Sequence, residues 1–255
     1  MSRSTLDVTA AASGFRRPQD ERYTRVAIIL HWVIAALIIY NLISGFLVWD
    51  FAPKFFRSDP ALYRFGLTSH LSAGLTVLVL TVVRIAWRLM HEPPPYPHDM
   101  KRWERHSAHF AHFFLYAAML LMPLTGWAIL SANPAPGTAG AEVRQAAMAA
   151  AMSAAARSGA APVGPPPGPV PPPPRIWWVL MPMPVITPLE ELGAEPGGVK
   201  PQQVLHDKIA DWHMIGGWLS LILVLLHVAA ALKHQWLDRH PELQRMGIGK
   251  RPAQH

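Results

Sequence analysis

Four windows of at least 21 residues carry almost no charge, and they limit what this chain can fold into more than anything else in it. They run from Val26 to Trp49, Leu67 to Trp87, Phe110 to Leu130 and Trp212 to Leu232, and Arg84 is the one Lys, Arg, Asp or Glu among them. A helix needs ~20 apolar residues, at ~1.5 Å rise each, to cross a hydrocarbon core. Four such windows in 255 residues, of which only 15% are charged, predict an all-α membrane protein built as a four-transmembrane-helix bundle.

The distribution of Lys and Arg predicts the orientation. Fifteen lie in the two terminal segments and the second connection with its flanks, against Lys54, Arg57 and Arg64 in the first loop and five in the long third connection. Both termini are therefore expected in the cytoplasm. Each side carries eight acidic residues, so the net charge of +7 sits on the cytoplasmic side and requires no nucleic acid. Trp32, Trp49, Trp87, Trp127 and Trp212 stand near window ends, as interfacial anchors do. Arg16 and Arg17 precede Pro18 and two acidic residues rather than an apolar run, so the first window is expected to be an uncleaved anchor. With no cysteine, disulfides, iron–sulfur clusters and covalently attached haem are excluded.

The chain divides into a cytoplasmic tail (1–24), helices one to three (25–132), a periplasmic Ala/Pro-rich insertion with an interfacial segment (133–205), helix four (206–238) and a second cytoplasmic tail (239–255). Glu142 to Arg157 reads as an Ala- and Met-rich surface helix. Pro162 to Pro174 holds nine prolines in thirteen residues, which favours extended polyproline II as a spacer or a docking element. Ile176 to Ile186 is too short to span and is expected on the outer face of the bundle. Residues 135–174 supply neither a ligand nor a span, and are expected to be dispensable for cofactor binding.

Ionisable groups within a membrane are functional candidates, and here they are His31, His70, Arg84, His112, His213 and His227. His31 and His227 are each sixth from the inner end of their windows, while His70 is fourth and His213 second from the outer end. Alternating helices thus yield two level pairs, His31 with His227 and His70 with His213. His213 and His227 are fourteen residues apart, a step that returns within about 40° of one direction after ~21 Å of rise. One face of the fourth helix therefore presents both imidazoles to the bundle. A small residue follows each of the four by one turn (Ala35, Gly74, Gly217 and Ala231), the clearance a flat macrocycle needs. His112 and His109 have Tyr116 and Phe113 there, and His206 lies in the linker before the span. Isolated imidazole pairs without a carboxylate or thiolate suit haem iron better than zinc, with a proton relay or a helix–helix hydrogen bond as the competing uses. Arg84, fourteen residues after His70, is the candidate partner of a haem propionate, against snorkelling to lipid phosphate, the role expected of Arg88.

The stretches YTRVAIILHW, SHLSAGLTVLVLTVVR, AHFAHFFLYAAMLLMPLTGW and WHMIGGWLSLILVLLHVAAALKHQWLDRHPELQRM resemble the bacterial cytochrome b561 family, which belongs with the cytochrome b subunits of nickel hydrogenases. The resemblance implies a bundle with two haem b groups, a cytoplasmic one on His31 and His227 and a periplasmic one on His70 and His213. It also implies ubiquinone as partner at the cytoplasmic side, with His234 as its contact, and for some members superoxide as the periplasmic donor. The insertion from about Ala135 to Pro174 departs from the family pattern. Two functions follow as expectations: a superoxide:ubiquinone oxidoreductase fed past local basic residues (Lys54, Arg57, Arg64, Arg175, Lys200 and Lys208), or a haem-b electron-transfer subunit of a larger dehydrogenase complex. A non-redox membrane scaffold is the remaining alternative.

Overall fold

The computed structural model describes residues 22–52, 55, 59–96, 100–158, 176–178 and 180–249. Pro162 to Pro174, most of 1–24, Lys54, Arg57 and Arg175 lie outside the described residues.

Helix α1, Arg25–Gly45, starts where the Thr24 hydroxyl accepts from the Ala27 N–H, and it continues into a π-helical turn at Phe46–Phe51. Helix α2, Pro60–Met90, has Pro60 in its first turn and Asp59 accepting from the Ala61 and Leu62 N–H groups, two donors that a helix start leaves orphaned. Helix α3, Arg102–Ser131, opens with Glu104 accepting from the Lys101 N–H and contains Pro123. Helix α4, Ala139–Ser158, lies in the inserted segment. A two-residue hairpin follows, β1 Ile176–Trp177 paired antiparallel with β2 Met181–Pro182, then the short helix α5, Thr187–Glu191. Helix α6, Val199–Trp236, has 38 residues, so its ~57 Å length exceeds the ~30 Å hydrocarbon core and its first turns overhang. Helix α7, Glu242–Arg245, is the last helix of the described residues.

Among the described residues four helices are long and apolar enough to span: α1 with its π-turn, α2, α3 and α6. Their outer faces carry large exposed apolar groups such as Phe65 (68%), Phe110 (65%) and Leu226 (63%). In water such surface would drive aggregation, whereas in lipid it meets its own solvent.

α1 packs along α2, α2 along α3, and α3 along α6, while α1 and α6 make at most marginal backbone contact among the described residues. Across the seam between them, α1 with its π-turn and α6 meet through side chains, the Phe46 and Trp218 rings lying 4.4 Å apart. One apolar cluster, Leu30, Ile34 and Val77, fills the half nearer the termini. A second, Leu75, Leu130 and Met183 with Trp177 against it, fills the far half. The hairpin is stapled there by hydroxyls. Ser72 accepts from the Trp178 N–H at 3.0 Å, and Thr76 accepts from the Trp177 and Trp178 indoles at 3.1 and 2.8 Å. The segment expected on the outer face is thus keyed into α2.

The two ends of the described chain meet at one end of the bundle, where the Tyr23 N–H donates to Arg245 O and the Trp32 indole to Met246 O. Arg245 is buried and donates to Pro95 O at 2.8 Å. The stretch after Asp238, expected as a tail, is folded against the bundle as far as residue 249.

Candidate functional site

The two expected histidine pairs are side by side in space. The imidazole centroids of His31 on α1 and His227 on α6 are 6.3 Å apart, and those of His70 on α2 and His213 on α6 are also 6.3 Å apart. An imidazole nitrogen binds a metal at about 2.0 Å with its ring centroid about 1.1 Å behind, so two axial ligands of one ion set their centroids about 6.2–6.3 Å apart. Both pairs fit that width, and the two lie at different levels of one helix face.

The far pair is oriented by hydroxyls from neighbouring helices. Thr125 on α3 lies 2.8 Å from His213 Nδ1 and has carbonyls of its own helix, Leu121 and Met122, to donate to. Ser44 on α1 lies 3.1 Å from His70 Nδ1 and donates to Asn41 O. Each hydroxyl, its proton given to the backbone, accepts from Nδ1–H and leaves Nε2 as the free ligand nitrogen, the arrangement metal-binding histidines favour. The residue after each hydroxyl is glycine, and the reason is steric. A Cβ on Gly45 would come within 3.2 Å of His70 Cε1, and one on Gly126 within 3.2 Å of His213 Cε1. These four residues were missed by sequence reasoning. Their signal is the repeated hydroxyl–glycine dipeptide, Ser44-Gly45 and Thr125-Gly126, on the two helices that flank the far pair.

A cavity of about 930 Å³ surrounds His70 and His213, within the usual range for cofactor sites. Its wall includes Gly45, Gly74, Gly126 and Gly217, and a Cβ on Gly217 would meet nothing within 4 Å. The π-turn supplies Trp49, whose ring lies 5.4 Å from that of His70. His206, set aside as a linker residue, is already helical in α6 and also lines the cavity, its Nδ1 3.0 Å from Asp207. The inserted segment contributes Arg144 and Met148 to its lining.

Near the termini the pair has company. His112 has its ring 5.7 Å from that of His227, closer than its bulky neighbour Tyr116 suggested. Arg84 donates from Nε to the Tyr116 hydroxyl at 3.1 Å, and its charge acts on His31, His112 and His227. That contact uses one of five guanidinium donors, so the fork remains available to a carboxylate. His234 Nδ1 lies 2.7 Å from Asp238 Oδ2, and its ring stacks at 6.0 Å on that of His240. Lys233 beside it is bound to Glu104 and Asp238 at 2.6 and 2.7 Å. The ion pair bridges α6 and α3, with Lys233 partly exposed. The Lys233 ammonium, with His234 beside it, holds the Asp238 carboxyl below the usual carboxylate range.

The sequence profile described as prokaryotic cytochrome b561 matches residues 22–249. A cytochrome b562 of Cereibacter sphaeroides is 40% identical over 72 residues, 28% of this chain and 45% of that protein. A protein of Yersinia pestis named probable superoxide oxidase CybB is 27% identical over 110 residues, 43% of this chain and 58% of its own length. The cytochrome b561 homolog 2 of Escherichia coli is 21% identical over 234 residues, covering 90% of this chain and 93% of that one. The chain thus spans about half the length of the first two relatives and nearly all of the third. With four apolar helices and paired membrane histidines inside the matched region, this chain belongs to the prokaryotic cytochrome b561 family, multi-pass haem-binding electron-transfer proteins of the bacterial inner membrane.

Proposed function

We propose that this chain carries electrons across the inner membrane between a periplasmic donor and ubiquinone at the cytoplasmic side, through two haem b groups. The observation that carries the reading is the equal 6.3 Å separation of two imidazole pairs on one face of α6. His31 and His227 hold the cytoplasmic haem, and His70 and His213 the periplasmic one. Bound haem supplies one-electron redox chemistry at each level. Thr125 and Ser44 fix the tautomers of the periplasmic ligands, and Arg84 offers its remaining donors to a propionate of the cytoplasmic group. The basic residues gathered at the end where the termini meet support the orientation.

Ubiquinone approaches at His234, on the same face of α6 as His227 and two turns nearer the terminal end. Asp238 accepts from its Nδ1–H, a contact that favours the imidazolium, and in that doubly protonated form Nε2–H donates to a quinone carbonyl and delivers a proton. The donor to be tried first is superoxide, the substrate in the name of the Yersinia pestis relative. Arg64, Lys200 and Lys208 at the far end are cations that attract it. That activity makes the chain an oxidoreductase.

Haem quantitation on purified protein tests the reading. Two b haems per chain are expected, and one per chain overturns the assignment. A reporter fused after residue 249 is expected to face the cytoplasm. Thr125→Val and Ser44→Ala should each weaken retention of the periplasmic haem by about 10–100-fold, the usual cost of removing such a support. Transfer of haem to a scavenging apoprotein measures it, and unchanged transfer rates in both variants remove the orienting role.

A further inference from the structure

Helix α4 comes from the segment whose composition promised neither ligand nor span, yet it covers the far cavity. Arg144 and Met148, one turn apart on the same face, line that cavity together with His70 and His213. Ala141, one turn earlier, is buried. The helix is clamped in place by glycines. The Gly140 N–H donates to Ala194 O at 2.8 Å, and a Cβ on Gly140 would collide with Gly193 O. A Cβ on Gly193 would in turn collide with Gln202 of α6, itself wholly buried and donating to Leu189 O and Glu190 O.

Arg144 is partly buried and, among the described residues, has no hydrogen bond or ion pair of its own. Asp207 acts on it only from beyond contact range and is engaged by Gln203 and His206 at 2.7 and 3.0 Å. A partly desolvated guanidinium facing a cavity calls for an anionic partner, and its fork of donors matches a carboxylate. The group expected between His70 and His213 carries two carboxylates as its only charged substituents.

We propose that α4 is a lid on the periplasmic haem site and that Arg144 binds a carboxylate of the haem held there, a reading that rests on the two-haem assignment above. The insertion is then part of the cofactor site rather than an appendage. Met148 beside Arg144 adds apolar cover, and the glycine clamp sets the height of the lid.

The experiment uses the full-length protein in its haem-loaded form, with Arg144→Gln, Arg144→Lys and Gly140→Val. Removing a cation that faces a haem carboxylate disfavours the reduced, more negative state. Arg144→Gln is expected to lower the potential of the periplasmic haem by a tenfold change in its reduction equilibrium, about 59 mV for one electron. Arg144→Lys should retain most of the parent potential. Gly140→Val, which lifts the lid with Arg144 intact, should shift the same haem in the same direction and speed its loss to a scavenging apoprotein severalfold. The cytoplasmic haem, unchanged in all three, serves as the folding control. Parent-like potentials and loss rates in both Arg144→Gln and Gly140→Val overturn the proposal. So does a parent potential that moves on addition of sulfate with a response that Arg144→Gln abolishes, because Arg144 then serves a free anion. If His70→Ala removes no haem, the two-haem assignment fails instead, and this proposal with it.

Discussion

In a His227→Ala protein the haem content is expected to fall by half, with the periplasmic haem left in place. Both halves of that result follow from the geometry. His227 and His213 stand about 21 Å apart along α6, and each pairs with a different helix, α1 or α2. The two apolar clusters that pack the bundle are likewise separate, so emptying one site leaves the packing of the other intact. With either histidine of a pair replaced, a single imidazole would be left to hold the group, and retention should fail. His31→Ala should match His227→Ala, while His70→Ala and His213→Ala should remove the other haem. His112 makes the outcome informative. Its ring is 5.7 Å from that of His227, near enough to move into a vacated ligand position. Full haem content in His227→Ala together with loss in the His112→Ala, His227→Ala double variant would transfer the ligand role to His112. Pyridine-haemochrome quantitation and low-temperature difference spectra read all of these.

His234→Ala is expected to keep both haems and to slow their oxidation by ubiquinone by about 100-fold, the lower end of what a positioned proton donor contributes. Asp238→Asn should slow it less, because His234 stays in place and loses only its charged orienting partner. The pH dependence of that second effect has a definite sign. The Asp238 carboxyl is held below its ordinary range by Lys233 and His234, so its interaction is present above the unfolded pKa and lost only in acid. From about pH 5 to about pH 8 it stays ionised, so a deficit in Asp238→Asn should be present at both ends of that window. Stopped-flow oxidation by a short-chain ubiquinone at both ends of the window checks this. Parent kinetics in His234→Ala would leave the ion-pair network of Lys233, Glu104 and Asp238 as a purely structural clasp between α3 and α6.

What the sequence alone determined follows from two periodicities. A run of apolar residues long enough to span has one stable form in lipid, a helix, because no water is present to satisfy its backbone. Within such a helix, residue spacing translates directly into depth and direction, so level histidines and the shared face of His213 and His227 were legible before any fold was seen. Angular facing between different helices is not encoded in that way. Which hydroxyl reaches His70 or His213, that Gly45 and Gly126 make room for imidazoles from other helices, and that Lys233 meets Glu104 across more than a hundred positions all depend on which helices pack together. The inserted segment is the clearest case. Its composition is compatible with a solvated spacer, and only the close backbone approach of Gly140 to Gly193 places α4 over the cavity and turns Arg144 inward. A contact made possible by the absence of two side chains leaves no trace in hydrophobic pattern or charge, so only the tertiary structure decided it.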